Sequence, residues 1–447
     1  MALPAEVPYL HIYLAFTLGV SLLHWALDFR QLKALRNKDP PPELASAAFK
    51  DPNLYKKTQA YSLDKWWFGL FHSMYSLCEN VTVVLLGLIP WTWTAAGQAL
   101  THLPPGLAAS LHLGPGASPM ARELATSVLF MLAFSGFTLL SSLPWSLCST
   151  FVIEARHGFN KQTLALFMKD TMMSIALGLL ILPPVVLGIT YILLVAGPMM
   201  PLYLWLFVLA FSLFFMTVYP TLIQPLFNKF LPLPEGPLRT QIEQLAGSLR
   251  FPLKKLYTMD GSKRSAHSNA YMYGWGQHKR IVLFDTLISQ CSTDQVVAVL
   301  AHELGHWKLR HTPINFAVGQ AITLINFGLL AFIRSQPGLY TAFGFHGEQP
   351  ALVALVLFQL ISTPVDEVIN FAMHCVSRTF EFQADNFAVQ QGHGVPLRTA
   401  LLVMEEENKG AMHVDPWFSA YHYSHPPLVE RLRAIDRAVA GLAKKTT

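Results

Sequence analysis

Seven stretches of this sequence are long and apolar enough to cross a lipid bilayer as helices, and that constraint outranks every other feature of the chain. A hydrocarbon core about 30 Å thick is spanned by about 20 helical residues. The stretches fall at approximately 9–27, 67–90, 124–148, 172–197, 202–219, 314–334 and 351–374, the second and the last interrupted by polar residues. Only 13% of the residues are charged, against about 25% in ordinary soluble domains. The expected fold is therefore an α-helical polytopic membrane protein in contact with lipid. The opening MALPAEVPYL has no basic region and no small-residue cleavage site, so the first apolar run is expected to remain as a span. Lys and Arg (32) barely outnumber Asp and Glu (27) and form no stripe that could follow a phosphate backbone, which argues against a nucleic-acid partner. Cys78, Cys148, Cys291 and Cys375 make no CxxC pair and are expected as buried small hydrophobes, neither disulfides nor metal ligands.

Basic residues set the orientation, because the cytosolic side of a membrane keeps the positive charge. The segment 28–65 carries Arg30, Lys33, Arg36, Lys38, Lys50, Lys56, Lys57 and Lys65, whereas 91–123 carries only Arg122. Counting through the spans then places 149–171, 220–313 and the tail on the cytosolic side. The chain divides into five spans (1–219), a cytosolic piece (220–313), two more spans (314–374) and a cytosolic C-terminal region (375–447). In the first soluble piece a helix is expected at 236–250, then strand-like LKKLYTM, then a hairpin of SNAYMYG and KRIVLFDTLI about the turn WGQH. STDQVVAVLAHELGHWKLRH follows as a helix capped by Ser292 or Thr293. Glu79, Asp366 and Glu367 fall inside apolar runs, where lipid makes them costly, so they are expected to meet water or a partner.

His302-Glu303-Leu304-Gly305-His306 is an H-E-x-x-H pattern. On a helix its i, i+4 spacing sets both imidazoles on one face, where each can give a lone pair to one tetrahedral Zn2+, with Glu303 beside them as general base. A catalytic zinc takes three protein ligands and leaves one position open. Glu381 in SRTFEFQADNFAVQ is the expected third, completing a gluzincin-type site with one Zn2+ per chain. Two spans separate it from His306, an even number, so the two ends return to a common side. Asp385 shares the helix face of Glu381; it either orients a ligating histidine through the outer N–H or forms a salt bridge with Arg378. A donor to the oxyanion must come from elsewhere. His425 in YHYSHPPLVERL is one candidate, with a packing role as its alternative, and Asn269 in SNAYMYG is another, at a strand edge able to hold extended substrate.

Taken together IEARHGFNKQT (153–163), DGSKRSAHSNAY (260–271), RIVLFDTLI (280–288), AHELGHWKLRH (301–311), SRTFEFQAD (377–385) and YSHPPLVERL (423–432) resemble the integral-membrane CAAX prenyl proteases of type 1, and the resemblance covers nearly the whole chain. It implies seven helices around a large internal chamber, with a zincin-like catalytic region carrying a small sheet. It implies His302, His306 and Glu381 as zinc ligands, Glu303 as catalytic base, and His425 and Asn269 as residues facing the substrate. The reaction implied is removal of the C-terminal tripeptide after the prenylated cysteine of farnesylated CaaX proteins, with a second, upstream cut in some substrates. The closing Lys444-Lys445-Thr446-Thr447 looks like a dilysine retrieval signal of the endoplasmic reticulum. Rival readings are a membrane-protein quality-control zinc endopeptidase, an intramembrane protease, a receptor or transporter, and a non-catalytic scaffold or channel-clearing factor. The polar setting of the H-E-x-x-H segment opposes the second, the paired metal motifs oppose the third, and the intact Glu303 opposes the last.

Overall fold

The computed structural model describes residues 7–45, 49 and 51–446, so Thr447 of the retrieval signal lies outside the described residues. The membrane part begins with α1 (Tyr9–Leu35), followed by α2 (Leu54–Leu85), α3 (Leu88–Thr101), α4 (Pro119–Cys148), α5 (Leu164–Val195) and α6 (Met200–Val218). Among the described residues six helices are long and apolar enough to cross a membrane, and the bent pair α2 and α3 supplies a seventh crossing. That pair corrects the expected straight span at 67–90. Gly87 adopts φ +63°, a left-handed conformation that costs glycine little, and the helix axis turns by 61° there. Helix then continues to Thr101, through residues expected to form a loop.

A four-stranded sheet follows the first six helices. β1 (Phe230–Pro232), β2 (Leu253–Met259), β3 (Ala270–Tyr273) and β4 (Lys279–Phe284) lie in the order β1-β2-β4-β3, with β2 and β4 parallel and the outer pairs antiparallel. The β3–β4 hairpin is the one expected from SNAYMYG and KRIVLFDTLI; β1, three residues ending in proline, is too short to show alternation and was not anticipated. β3 is an edge strand, so one row of its backbone groups faces away from the sheet.

The longer helices around and after the sheet are α7 (Pro237–Ser248), α8 (Thr293–Lys308), α9 (His311–Ile333), α10 (Ala351–Ala388), α11 (Gly394–Asn408), α12 (Pro416–His422) and α13 (Leu428–Thr446). α10 has 38 residues, about 57 Å at 1.5 Å per residue. It therefore outruns the bilayer and carries its last turns out to the sheet. Two hydrophobic cores stabilise the ends. One gathers Trp93, Phe130, Leu204, Leu330 and Leu357; the other gathers Ile242, Ile281, Leu283, Leu300, Leu304, Leu397 and Leu432 beneath the sheet. Between them the spans bury no more than 33% of any apolar window, which leaves most of their apolar surface free to face lipid.

The acidic residues of the spans have partners. Glu79 accepts from Ser141 and Tyr75, joining α2 to α4. Glu367 accepts the Tyr421 hydroxyl at 2.8 Å and lies 3.5 Å from His24 Nε2, and Asp366 accepts from Ser362. All four cysteines are free, but only Cys291 is buried; Cys78 and Cys375 are exposed, which corrects the expectation for both.

Candidate metal centre

The site is assembled on two helices pressed together. α8 starts with a reciprocal capping box: Ser292 accepts from the Gln295 backbone N–H while the Gln295 side chain accepts from Ser292 N–H. Val296, Val297, Leu300, Ala301 and Leu304 are buried, which fixes the rotation of the helix and aims His302 and His306 at α10. Gly305 allows the close approach. A Cβ there would lie 3.2 Å from Ala384 Cα and 3.1 Å from a Phe387 ring carbon.

Three potential ligand residues converge, Glu381 turning one carboxylate oxygen toward each imidazole. His302 Nε2 lies 3.2 Å from His306 Nε2 and 3.5 Å from Glu381 Oε2, and His306 Nε2 lies 3.3 Å from Glu381 Oε1. A tetrahedral zinc with bonds of about 2.0–2.2 Å requires ligand atoms about 3.3–3.6 Å apart. The observed edges match it. Glu381 is 4% exposed, and its Oε2 is buried without a hydrogen-bond partner, an orphaned acceptor of the kind a cation would satisfy. Two imidazole nitrogens and a carboxylate oxygen also form the donor set that zinc favours, so the residues present fit the metal.

Behind the ligands the hydrogen bonding is complete. His302 Nδ1 donates to Asp385 Oδ1 at 2.9 Å, which leaves its Nε2 lone pair for the metal. Asp385 is in turn gripped by Arg431, whose Nη2 and Nε donate at 2.7 and 2.9 Å in a bidentate pair. This replaces the salt bridge to Arg378 considered from sequence; Arg378 binds Glu430 at 3.0 Å and the Ser419 hydroxyl instead. On the other side His306 Nδ1 meets His311 Nδ1 at 2.9 Å, and His311 Nε2 meets Gln383 Oε1 at 2.9 Å. A proton on His306 Nδ1 and one on His311 Nε2 satisfy this whole chain and again free a lone pair at His306 Nε2. Arg310, at φ +59°, makes the turn between α8 and α9 that brings His311 back, and His311 stacks on Phe380 at 4.1 Å.

Glu303 sits on the same face, and burial pushes its carboxyl above the ordinary range, against the opposing pull of His302 and His306. His425 is brought in from the C-terminal region: its Nε2 lies 3.3 Å from Glu381 Oε1 while most of the imidazole remains open to solvent. Asn269 is placed differently. It is exposed just before β3, its side-chain oxygen accepting from Ala270 N–H, and among the described residues it makes no hydrogen bond to the ligand set. Arg431 and His311 were missed by sequence reasoning. Each lies in a segment that carries the family resemblance, and their roles emerge only from tertiary proximity.

Two family models match the chain, one described as the five membrane helices of the CAAX prenyl protease N-terminal region (residues 31–229) and one as peptidase family M48 (residues 232–439). A CAAX prenyl protease 1 homolog of Arabidopsis thaliana is 45% identical over 441 residues, covering 98% of this chain and 99% of that protein. The Homo sapiens homolog is 39% identical over 472 residues, covering 97% and 96%. The crystal structure of S. mikatae Ste24p superimposes with a TM-score of 0.88 at 34% identity, covering 96% of this chain and 100% of that one. With this agreement along its whole length, and with the H-E-x-x-H helix and Glu381 joined in one centre, the chain belongs to the CAAX prenyl protease 1 family of multi-pass membrane metalloproteases within peptidase family M48.

Proposed function

We propose that this protein removes the C-terminal tripeptide that follows the prenylated cysteine of CaaX proteins, acting at the endoplasmic reticulum membrane with its catalytic region toward the cytosol. The observation that carries this reading is the tetrahedral convergence of His302, His306 and Glu381, in a chain aligned end to end with CAAX prenyl protease 1 homologs. The basic segment 28–65 supports the orientation.

His302, His306 and Glu381 would hold the zinc, which supplies Lewis acidity that polarises a carbonyl and acidifies water. Asp385 and Arg431 hold His302 in the tautomer that ligates, and His311 does the same for His306. Glu303, with its carboxyl raised by burial, takes the proton from the attacking water and passes it to the departing amine. His425, anchored in front of Pro426 and Pro427 and open on its far side, donates to the oxygen of the scissile carbonyl as negative charge develops there. The free edge of β3, with Asn269 at its start, holds the peptide extended by main-chain hydrogen bonds. The internal chamber gives an isoprenyl chain an apolar route to a site that must also admit water.

The test compares a farnesylated CaaX peptide with its unprenylated counterpart, with products identified by mass spectrometry. Loss of three residues from the farnesylated peptide is the expected result; preferential cutting of unprenylated peptides would overturn the assignment.

A further inference from the structure

A second recess adjoins the metal centre. A cleft of about 400 Å³ carries His425, and a larger one of about 650 Å³ shares Gly410, Ala411 and Tyr423 with it. One wall of the larger recess leads to an aromatic stack: the rings of Tyr61 and Phe159 are 4.8 Å apart, and those of Phe159 and His267 are 4.4 Å apart and nearly parallel. Two ammonium groups rest on this stack, Lys65 at 5.0 Å over Tyr61 and Lys409 at 4.7 Å over Phe159. Both lysines and His267 line the recess. Among the described residues neither ammonium is in an ion pair with a carboxylate; Lys409 donates once, to the His157 carbonyl. An ammonium has three donors, so each lysine retains hydrogen bonds to give. Cations seated on ring faces keep a field that a neighbouring carboxylate would have cancelled. Asp28 of α1 is the single carboxylate of the lining, and behind the stack Glu154 accepts from the Tyr61 hydroxyl and lies 3.5 Å from His267 Nε2, so the two lysines face the recess with the carboxylates on the ring side and on α1.

His267 lies three positions before the first residue of the free edge strand β3. A peptide added antiparallel to β3 therefore points its C-terminal end toward His267 and the recess. A tripeptide reaches about 10–11 Å when extended, so a chain that ends three residues beyond the cut has its free terminus in this neighbourhood.

Resting on the proposed function, we infer that the recess receives the free α-carboxylate of the substrate, with Lys65 and Lys409 as its counter-charges. The scissile bond is thereby registered by its distance from the chain end.

Two farnesylated peptides of one sequence, ending in a carboxylate or in a primary amide, test this. In the wild-type protein kcat/KM for the carboxylate should exceed that for the amide by about tenfold, the scale of a hydrogen bond to a charged group. Lys65→Met and Lys409→Met should each cut that ratio at least about threefold, and the double variant should bring it near one. The ratio is taken within one preparation, so partial misfolding does not alter it. A wild-type ratio near one, or an unchanged ratio in both variants, overturns the inference and leaves the proposed function standing. Failure to cut either peptide after the prenylated cysteine overturns the proposed function and this inference with it.

Discussion

Replacing Gly305 by alanine separates the metal site from the general stability of the fold. The new Cβ would lie 3.2 Å from Ala384 Cα, 3.1 Å from Phe387 Cδ1 and 3.2 Å from Phe387 Cβ. Carbon atoms pack best at about 3.5–4.0 Å, so the overlaps run from about 0.3 to 0.9 Å. The Phe387 ring can turn aside, but Ala384 Cα and Phe387 Cβ are fixed to α10, which must therefore retreat by about half an ångström. Overpacking of this kind costs about 1–3 kcal/mol, and alanine returns about 1 kcal/mol through its better helix propensity. The net loss of stability is thus about 0–2 kcal/mol. Glu381, one turn earlier on the same helix, moves with it, whereas metal–ligand distances tolerate about 0.2 Å. Zinc affinity should fall about 10–100-fold, a larger effect than the change in stability. Chelator competition measures the affinity, and melting of the metal-free protein measures the stability. Affinity within about twofold of the wild type would refute the claim that this glycine sets the separation of the two ligand-bearing helices.

The ligand assignment predicts about one zinc per chain in the purified protein and its loss in His302→Ala or Glu381→Ala; full retention in both would remove these residues from the site. Glu303→Gln should keep zinc and lose at least about a hundredfold in turnover, since the metal remains and the base does not. Arg431→Met leaves Asp385 buried without its bidentate partner and should weaken zinc binding about 10–100-fold; unchanged affinity would show that Asp385 needs no clamp. In the metal-free protein burial lowers the His302 pKa, but its hydrogen bond to Asp385 and the adjacent Glu381 carboxylate outweigh it and raise the value to about 9. The metal-free fold accordingly holds a proton on His302 that contributes stability below about pH 6.5, the unfolded value, and that contribution is lost as pH rises through about 9. Zinc uptake at pH 7–8 should displace this proton, giving a heat of binding that varies with the ionisation enthalpy of the buffer. A buffer-independent heat would contradict it.

Much of the fold was legible because membranes impose a length rule and helices a periodicity. Apolar runs located the crossings, the 3.6-residue turn placed His302 and His306 on one face, and an even number of crossings brought Glu381 to their side. The bend at Gly87 was hidden because hydropathy ignores φ, and apolar composition continues smoothly through the turn. Strand β1 was hidden by its brevity. Asp385 was read either as the acceptor of a histidine's outer N–H or as a salt-bridge partner of Arg378, seven residues away; it accepts from His302, and Arg378 binds elsewhere. The partner is Arg431, on a different helix.

The sequence by itself determined the membrane architecture and the metal-binding pattern, because each depends on spacing along one element or on composition. Tertiary structure decided which groups stand behind the ligands, how close α8 and α10 approach at Gly305, and that His425 reaches Glu381. Those relations join residues dozens to hundreds of positions apart, and they follow from side-chain packing between helices, which no periodicity within one helix encodes.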